Sequence, residues 1–176
     1  MYKRQGYRLD EDSLLTFAYD ADGICSSYIL KRGLEACGAV VDTMIPHRMK
    51  DGYGLNEHLV DEAYADGIDT ILTCDNGIAA YAQIEQAKKY GMTVIITDHH
   101  EIPYEEEPLA EPDPETGETS RRRYKIPPAD VVIDPKQPGD TYPFQEICGA
   151  VVAFKLMQLL FAEFGFDGIS TDLTSG

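Results

Sequence analysis

Short apolar runs alternate along this chain with longer stretches in which apolar residues recur every three or four positions. The runs "LLTFA" at 14–18, "AVVDTMI" at 39–45, "DTILTC" at 69–74, "MTVIIT" at 92–97 and "ADVVID" at 129–134 predict five strands. Between them, helical spacing predicts helices over 26–36, with Ile29, Leu30 and Leu34 on one face, and over 57–65 behind a capping Asn56. A third helix is expected over 78–90, closed by Gly91, and a long apolar one over 149–164. Strands that alternate with helices imply right-handed crossovers. The expected class is therefore α/β: an open, mostly parallel five-stranded sheet with helices on both faces. Residues 1–13 share no pattern with the rest and are read as an N-terminal segment outside that fold, a remnant. Residues 14–176 form the domain.

A length of 176 residues suits one domain with a real core. No apolar run approaches the roughly 20 residues of a membrane span, and no signal peptide opens the chain, so a cytoplasmic location is expected. The formal net charge of −16 argues against a broad electrostatic grip on nucleic acid. It leaves room for a cleft whose positive face is supplied by metal ions. Much of the acidic excess lies in "EEEPLAEPDPETGE" at 105–118, and 104–128 is expected to be a solvated acidic loop. The basic run "SRRRYK" at 120–125 reads as the edge of that loop. The cysteines (Cys25, Cys37, Cys74 and Cys148) have no C-x-x-C spacing and read as reduced and mostly buried.

The position of the acids carries the chemistry. Asp20 and Asp22 follow the first strand, Asp75 the third, and Asp98, His99 and His100 the fourth. In an open parallel sheet all of these leave the carboxyl edge, where such folds place their ligand sites. A single Asp at a strand end is as readily a helix cap; three segments converging with two adjacent histidines point to a site. Oxygen and imidazole ligands without thiolate suit two Mn²⁺ or Mg²⁺ ions, Zn²⁺ being less natural, and such a pair can clamp an in-line displacement at phosphorus. The ions would offset the carboxylate repulsion. "DADG" after a strand is also a feature of haloacid-dehalogenase phosphatases, but Ile24 stands where those carry Thr. Neither G-x-G-x-x-G nor a G-K-[ST] loop is present.

"YDADGICSS", "TCDNGI", "TDHH" and "IDPKQPGDTYPFQEICGAVVAFKL" together resemble the DHH phosphoesterases, in particular the branch of single-stranded-DNA-specific 5′→3′ exonucleases known as RecJ. "IPHRMKDGYGLN" at 45–56 resembles that branch's loop. The resemblance covers about 14–164. It implies that 14–176 is a DHH catalytic domain, C-terminally truncated, that hydrolyses single-stranded DNA to 5′-mononucleotides in repair and recombination. By the same resemblance Asp20, Asp22, Asp75 and His99 hold the metals, Asp75 bridging them, and His100 faces the scissile phosphate. Asp98 then orients a neighbouring histidine. Ser26, Ser27 and Arg48 are weaker substrate-binding candidates, with Ser26 or Ser27 read first as a helix cap. Asp134 reads as a turn residue, and His47 and His58 as residues outside the site.

Two departures stand out. Ala18 replaces the first acid of the family's Asp-Tyr-Asp-x-Asp-Gly, and Thr16 stands where other members carry a histidine. The first metal would then be one ligand short. The later Asp of the fourth motif has only Asp172 as a candidate, so weak or no activity is expected of these residues alone. Two alternatives remain: a DHH phosphodiesterase for short oligonucleotides or cyclic dinucleotides, and a catalytically silent nucleotide- or protein-binding domain.

Overall fold

The computed structural model describes residues 13–17, 20–44, 54–111, 114 and 116–166, the first of these segments by its backbone. Five strands form one parallel sheet: β1 (Ser13–Phe17), β2 (Val40–Met44), β3 (Thr70–Cys74), β4 (Thr93–Thr97) and β7 (Val131–Ile133), in the order β2-β1-β3-β4-β7. Every pairing is parallel, with Phe17 beside Thr73 and Cys74 beside Thr97 at the carboxyl ends. From β1 the chain crosses to β2 on one side. From β3 it crosses to β4 on the other. The strand order therefore reverses between β1 and β3, and this switch point opens a crevice at the carboxyl edge.

Helices cover both faces. α1 (Ala21–Ala36) and α4 (Gly149–Phe164) pack on one face, where Leu30, Leu34, Ala153 and Met157 meet Val41, Leu72 and Cys74. α2 (Glu57–Ala65) and α3 (Tyr81–Lys89) pack on the other, where Leu59, Val60, Ala63, Ile84 and Ala87 meet Ile71, Val94 and Ile96. Successive residues of β3 and β4 point to opposite faces, so both helical layers draw on the same strands. Burying each large side chain of this core contributes roughly 1.5–3 kcal/mol. Among the described residues, no helix is long and apolar enough to cross a membrane.

α2 and α4 span the residues expected of them, and Asn56 caps α2 through a bond from Leu59 N of 3.0 Å. Three expectations are corrected. α1 begins at Ala21, not at residue 26, because Asp20 takes the cap position and Ser26 and Ser27 fall inside the helix, buried. The stretch expected as an acidic loop contains an antiparallel hairpin, β5 (Tyr104–Pro108) with β6 (Ser120–Tyr124). Its acidic and basic halves are complementary: Glu105 lies opposite Arg123 and Glu107 opposite Arg121. Cross-strand ion pairs thus organise a composition that read as solvated. Of the cysteines, all free, only Cys74 is buried, while Cys25 and Cys148 are exposed.

Candidate metal centre

Asp20 opens the site as the N-cap of α1. Its Oδ1 accepts from Asp22 N at 2.9 Å and Gly23 N at 3.0 Å. The bond from Gly23 N is the main cause holding its carboxyl below the usual range. Asp22, two residues on, is held by a helix far away in sequence. Its Oδ2 accepts from Gly149 N at 2.7 Å and its Oδ1 from Ala150 N at 2.8 Å. α4 has no side-chain cap of its own, since Cys148 at its cap position makes no such bond. Asp22 therefore satisfies the helix's orphan donors, and the positive end of α4 compensates part of its charge. Both acids therefore cap helix starts while lying at the crevice. Asp20 Oδ2 and one lone pair on each Asp22 oxygen remain beyond these backbone bonds.

Asp75 occupies the centre. It follows β3 with φ of 58°, a left-handed conformation that Asp tolerates better than most residues. Its N–H donates to Thr97 O at 3.0 Å, which ties the bend to β4. The side chain is 5% exposed. Burial, followed by the charges of Asp22 and Asp20, pushes its pKa up to about 6. Gly149 packs directly on it. A Cβ there would lie 2.8 Å from Asp75 Oδ1 and 2.9 Å from Asp75 Cβ, so only glycine fits.

The two histidines take different roles. His99 Nε2 lies 2.9 Å from Asp75 Oδ1 and 3.5 Å from Asp22 Oδ2, between the two acids. His100 Nδ1 lies 2.7 Å from Asp98 Oδ1. Asp98 is buried, and it also accepts from Ile78 N at 3.0 Å, His99 N at 2.8 Å and His100 N at 3.2 Å. These bonds hold the DHH turn and the His100 ring to one buried carboxylate. Burial opposes a charge on His100. The Asp98 bond and the surrounding carboxylates outweigh it and raise the pKa of the ring. His100, Asp75 and Asp98 line an open cleft of about 390 Å³ that continues over Gly77, Ile78 and Leu55.

The donor set fits divalent cations. Asp75, His99 and His100 each offer a ligand atom within 4.8 Å of the others. Among the described residues no Lys or Arg lies within 4.0 Å of Asp20, Asp22 or Asp75, and their one cross-charged neighbour is His99. Carboxylates and imidazoles without thiolate suit Mn²⁺ or Mg²⁺.

These features are matched by known proteins. Residues 14–174 match the DHH family, N-terminal domain. The chain belongs to the DHH family. This DHH domain is 39% identical over 160 residues to the single-stranded-DNA-specific exonuclease RecJ of Bacillus subtilis, covering 91% of this chain and 18% of that protein. It is 34% identical over 158 residues to the exonuclease of the same name in Escherichia coli, covering 89% of this chain and 23% of that one. A crystal structure of exonuclease RecJ bound to manganese superposes with a TM-score of 0.68 at 31% identity, covering 88% of this chain and 34% of that chain. RecJ of Thermus thermophilus in complex with Mn²⁺ gives 0.61 at 29% identity, covering 88% and 19%. The chain thus spans about a fifth to a third of the length of these relatives.

The expected site residues Asp20, Asp22, Asp75, Asp98, His99 and His100 come together at the crevice. Ser26 and Ser27 do not. Ser26 Oγ donates to Asp22 O at 2.7 Å, and Ser27 Oγ lies 3.0 Å from Cys74 Sγ, so both hydroxyls are engaged within the fold. His58 is exposed on α2, 3.3 Å from Glu62. Ala18, His47, Arg48 and Asp172 lie outside the described residues, as does the Thr16 side chain. Gly149 and the amide of Ala150 escaped the sequence reading. Their signal was a glycine opening an apolar helix in "ICGAVVAF", which local rules read only as a helix start.

Asp134 is more than a turn residue. It is 2% exposed, its Oδ1 accepts from Lys136 N at 2.8 Å, and its Oδ2 is buried without a hydrogen-bond partner. Burial, with Asp98 nearby, pushes its pKa up to about 6. An acid whose pKa is raised by folding holds its proton more tightly in the folded chain. Its favourable contribution is full below about 3.8 and is lost as the pH rises through about 6. Asp134→Asn is therefore expected to gain stability over the natural chain across that window, reaching about 2 kcal/mol above it. Urea denaturation of both forms at several pH values measures the difference. A constant offset would contradict the assignment.

Proposed function

We propose that residues 14–176 form a DHH catalytic domain that binds two Mn²⁺ or Mg²⁺ ions and hydrolyses single-stranded DNA from its 5′ end to 5′-mononucleotides, in DNA repair and recombination. The observation that carries this reading is the convergence of Asp20, Asp22, Asp75 and His99 at the switch point, with no Lys or Arg within 4.0 Å of these acids among the described residues. The substrate follows from the similar single-stranded-DNA-specific exonucleases, and manganese from the two solved relatives that bind it.

Divalent ions bound here supply positive charge for the phosphodiester and activation for the attacking water. The protein's own residues hold and orient. Asp75 reaches between Asp20, Asp22 and His99, which suits a bridging carboxylate. Asp22 is kept rigid by the first turn of α4, and Asp20 by the first turn of α1. His100 is oriented through Nδ1 on Asp98, a bond that favours the charged ring against burial; in that form its other nitrogen carries a proton. It can donate that proton toward the leaving oxygen or stabilise charge on the phosphate.

The test uses the native polypeptide that carries these residues, with Mn²⁺ and either 5′-phosphorylated single-stranded DNA or a cyclic dinucleotide. Mononucleotide release from the DNA, lost in Asp75→Ala, is the expected result. Cleavage of the cyclic substrate alone would favour the small-nucleotide diesterase. Metal binding without hydrolysis of either would favour a silent domain.

A further inference from the structure

In the chain, the β5–β6 hairpin follows the DHH turn and precedes β7. Its two faces differ. On one, Glu107 pairs with Arg121 at 3.0 Å and Arg123 at 3.1 Å, and Glu105 pairs with Lys125, so the charges close on one another. On the other, Tyr104 and Tyr124 stand opposite across the strands with ring centroids 5.9 Å apart, and the Arg122 guanidinium lies 4.5 Å above the Tyr104 ring. Both rings are substantially exposed, 43% and 37%. No carboxylate lies within 4.0 Å of Arg122 among the described residues. An open groove of about 780 Å³ runs past Glu106, Ser120, Arg122 and Tyr124. The basic run is thus divided: Arg121 and Arg123 share the Glu107 carboxylate, and Arg122 lies over the Tyr104 ring.

We propose that the Tyr104–Arg122–Tyr124 face is a platform on which unpaired bases of a single-stranded nucleic acid stack while one end of the strand lies in the metal centre. This rests on the nuclease reading above. Every base has a π-face, so aromatic stacking is tolerant of sequence, and Arg adds cation–π and phosphate contacts. Tyr104 is four residues beyond His100, which places the two Cα atoms within about 14 Å along the chain. In a chain of net charge −16, the hairpin strands set Arg121, Arg122, Arg123 and Lys125 against Glu105, Glu106 and Glu107, so the face relies on stacking and on Arg122 rather than on a broad basic field.

Anisotropy titrations of a short labelled thymidylate strand with the whole chain, in Ca²⁺ to suppress cleavage, test this. Tyr104→Leu and Tyr124→Leu are each expected to weaken binding about ten-fold. Tyr104→Phe and Tyr124→Phe should keep it, and Arg121→Gln on the opposite face should change it little. A duplex of the same length should be insensitive to both tyrosines. Circular dichroism and the phenylalanine forms separate loss of stacking from loss of the hairpin. Equal binding by the leucine variants, equal loss in the Phe and Leu variants, or no binding by the natural chain would overturn the platform. Intact DNA affinity in the leucine variants would instead assign the face to protein contacts or to the hairpin's own stability. The nuclease reading is judged separately, by whether Asp75→Ala abolishes hydrolysis; either idea can fail while the other stands.

Discussion

Replacing Asp75 by asparagine should lower Mn²⁺ affinity by roughly a hundred-fold or more, beyond the 10–100-fold typical of removing an outer partner. The same substitution should make the metal-free chain more stable above pH 6. Asparagine keeps the shape of the side chain and tolerates the left-handed backbone at φ of 58°. It removes a carboxylate that burial, Asp22 and Asp20 disfavour in its charged form. The gain is lost below the unfolded-state value near 3.8, where both forms are neutral, and grows as the pH passes about 6. Part of it is offset by weakening the bond to His99 at 2.9 Å. A net gain of about 1–2 kcal/mol is expected. Opposite changes in stability and metal affinity from one substitution mark a residue held in an unfavourable state for a ligand. Calorimetric Mn²⁺ titration and urea denaturation above and below pH 6 read both.

The second large effect falls on a residue with no reactive group. Gly149→Ala places a methyl 2.8 Å from Asp75 Oδ1 and 3.0 Å from its Cγ. Neither side can yield cheaply. Asp75 is tied through its N–H to Thr97 O, and the first turn of α4 is anchored to Asp22 through Gly149 N and Ala150 N. Overpacking of this kind costs typically 1–3 kcal/mol, so a loss of about 2 kcal/mol is expected in thermal unfolding. Unlike Asp75→Asn, this variant should lose stability and Mn²⁺ affinity together. Cys148→Ala, at the neighbouring exposed position, should do neither.

Period and punctuation made most of the architecture readable. The strand cores and the helices α2 and α4 stand where alternation, Asn56, Gly91 and the apolar run at 149–164 put them. The convergence of three segments on one sheet edge was also readable, because parallel strands send all their carboxyl ends the same way. The losses came where one residue serves two purposes or where partners are distant. Asp20 caps α1 while also lying at the crevice, so the helix starts at Ala21 and Ser26 and Ser27 fall inside it instead of at its cap. The cap of α4 is Asp22, 127 positions away, which no local pattern reveals. The hairpin was hidden by composition: its acids are satisfied by arginines beyond an intervening turn, and only the register of Glu107 on Arg121 shows it.

The proposed function requires Asp20, Asp22, Asp75 and His99 to form a cation site. Electron paramagnetic resonance of Mn²⁺ titrated into the metal-free chain, above the Asp75 titration, tests this without requiring turnover. The natural chain should remove the free-ion signal stoichiometrically, and Asp75→Asn should leave it in solution. Equal uptake by both forms, or none by the natural chain, would contradict the metal centre.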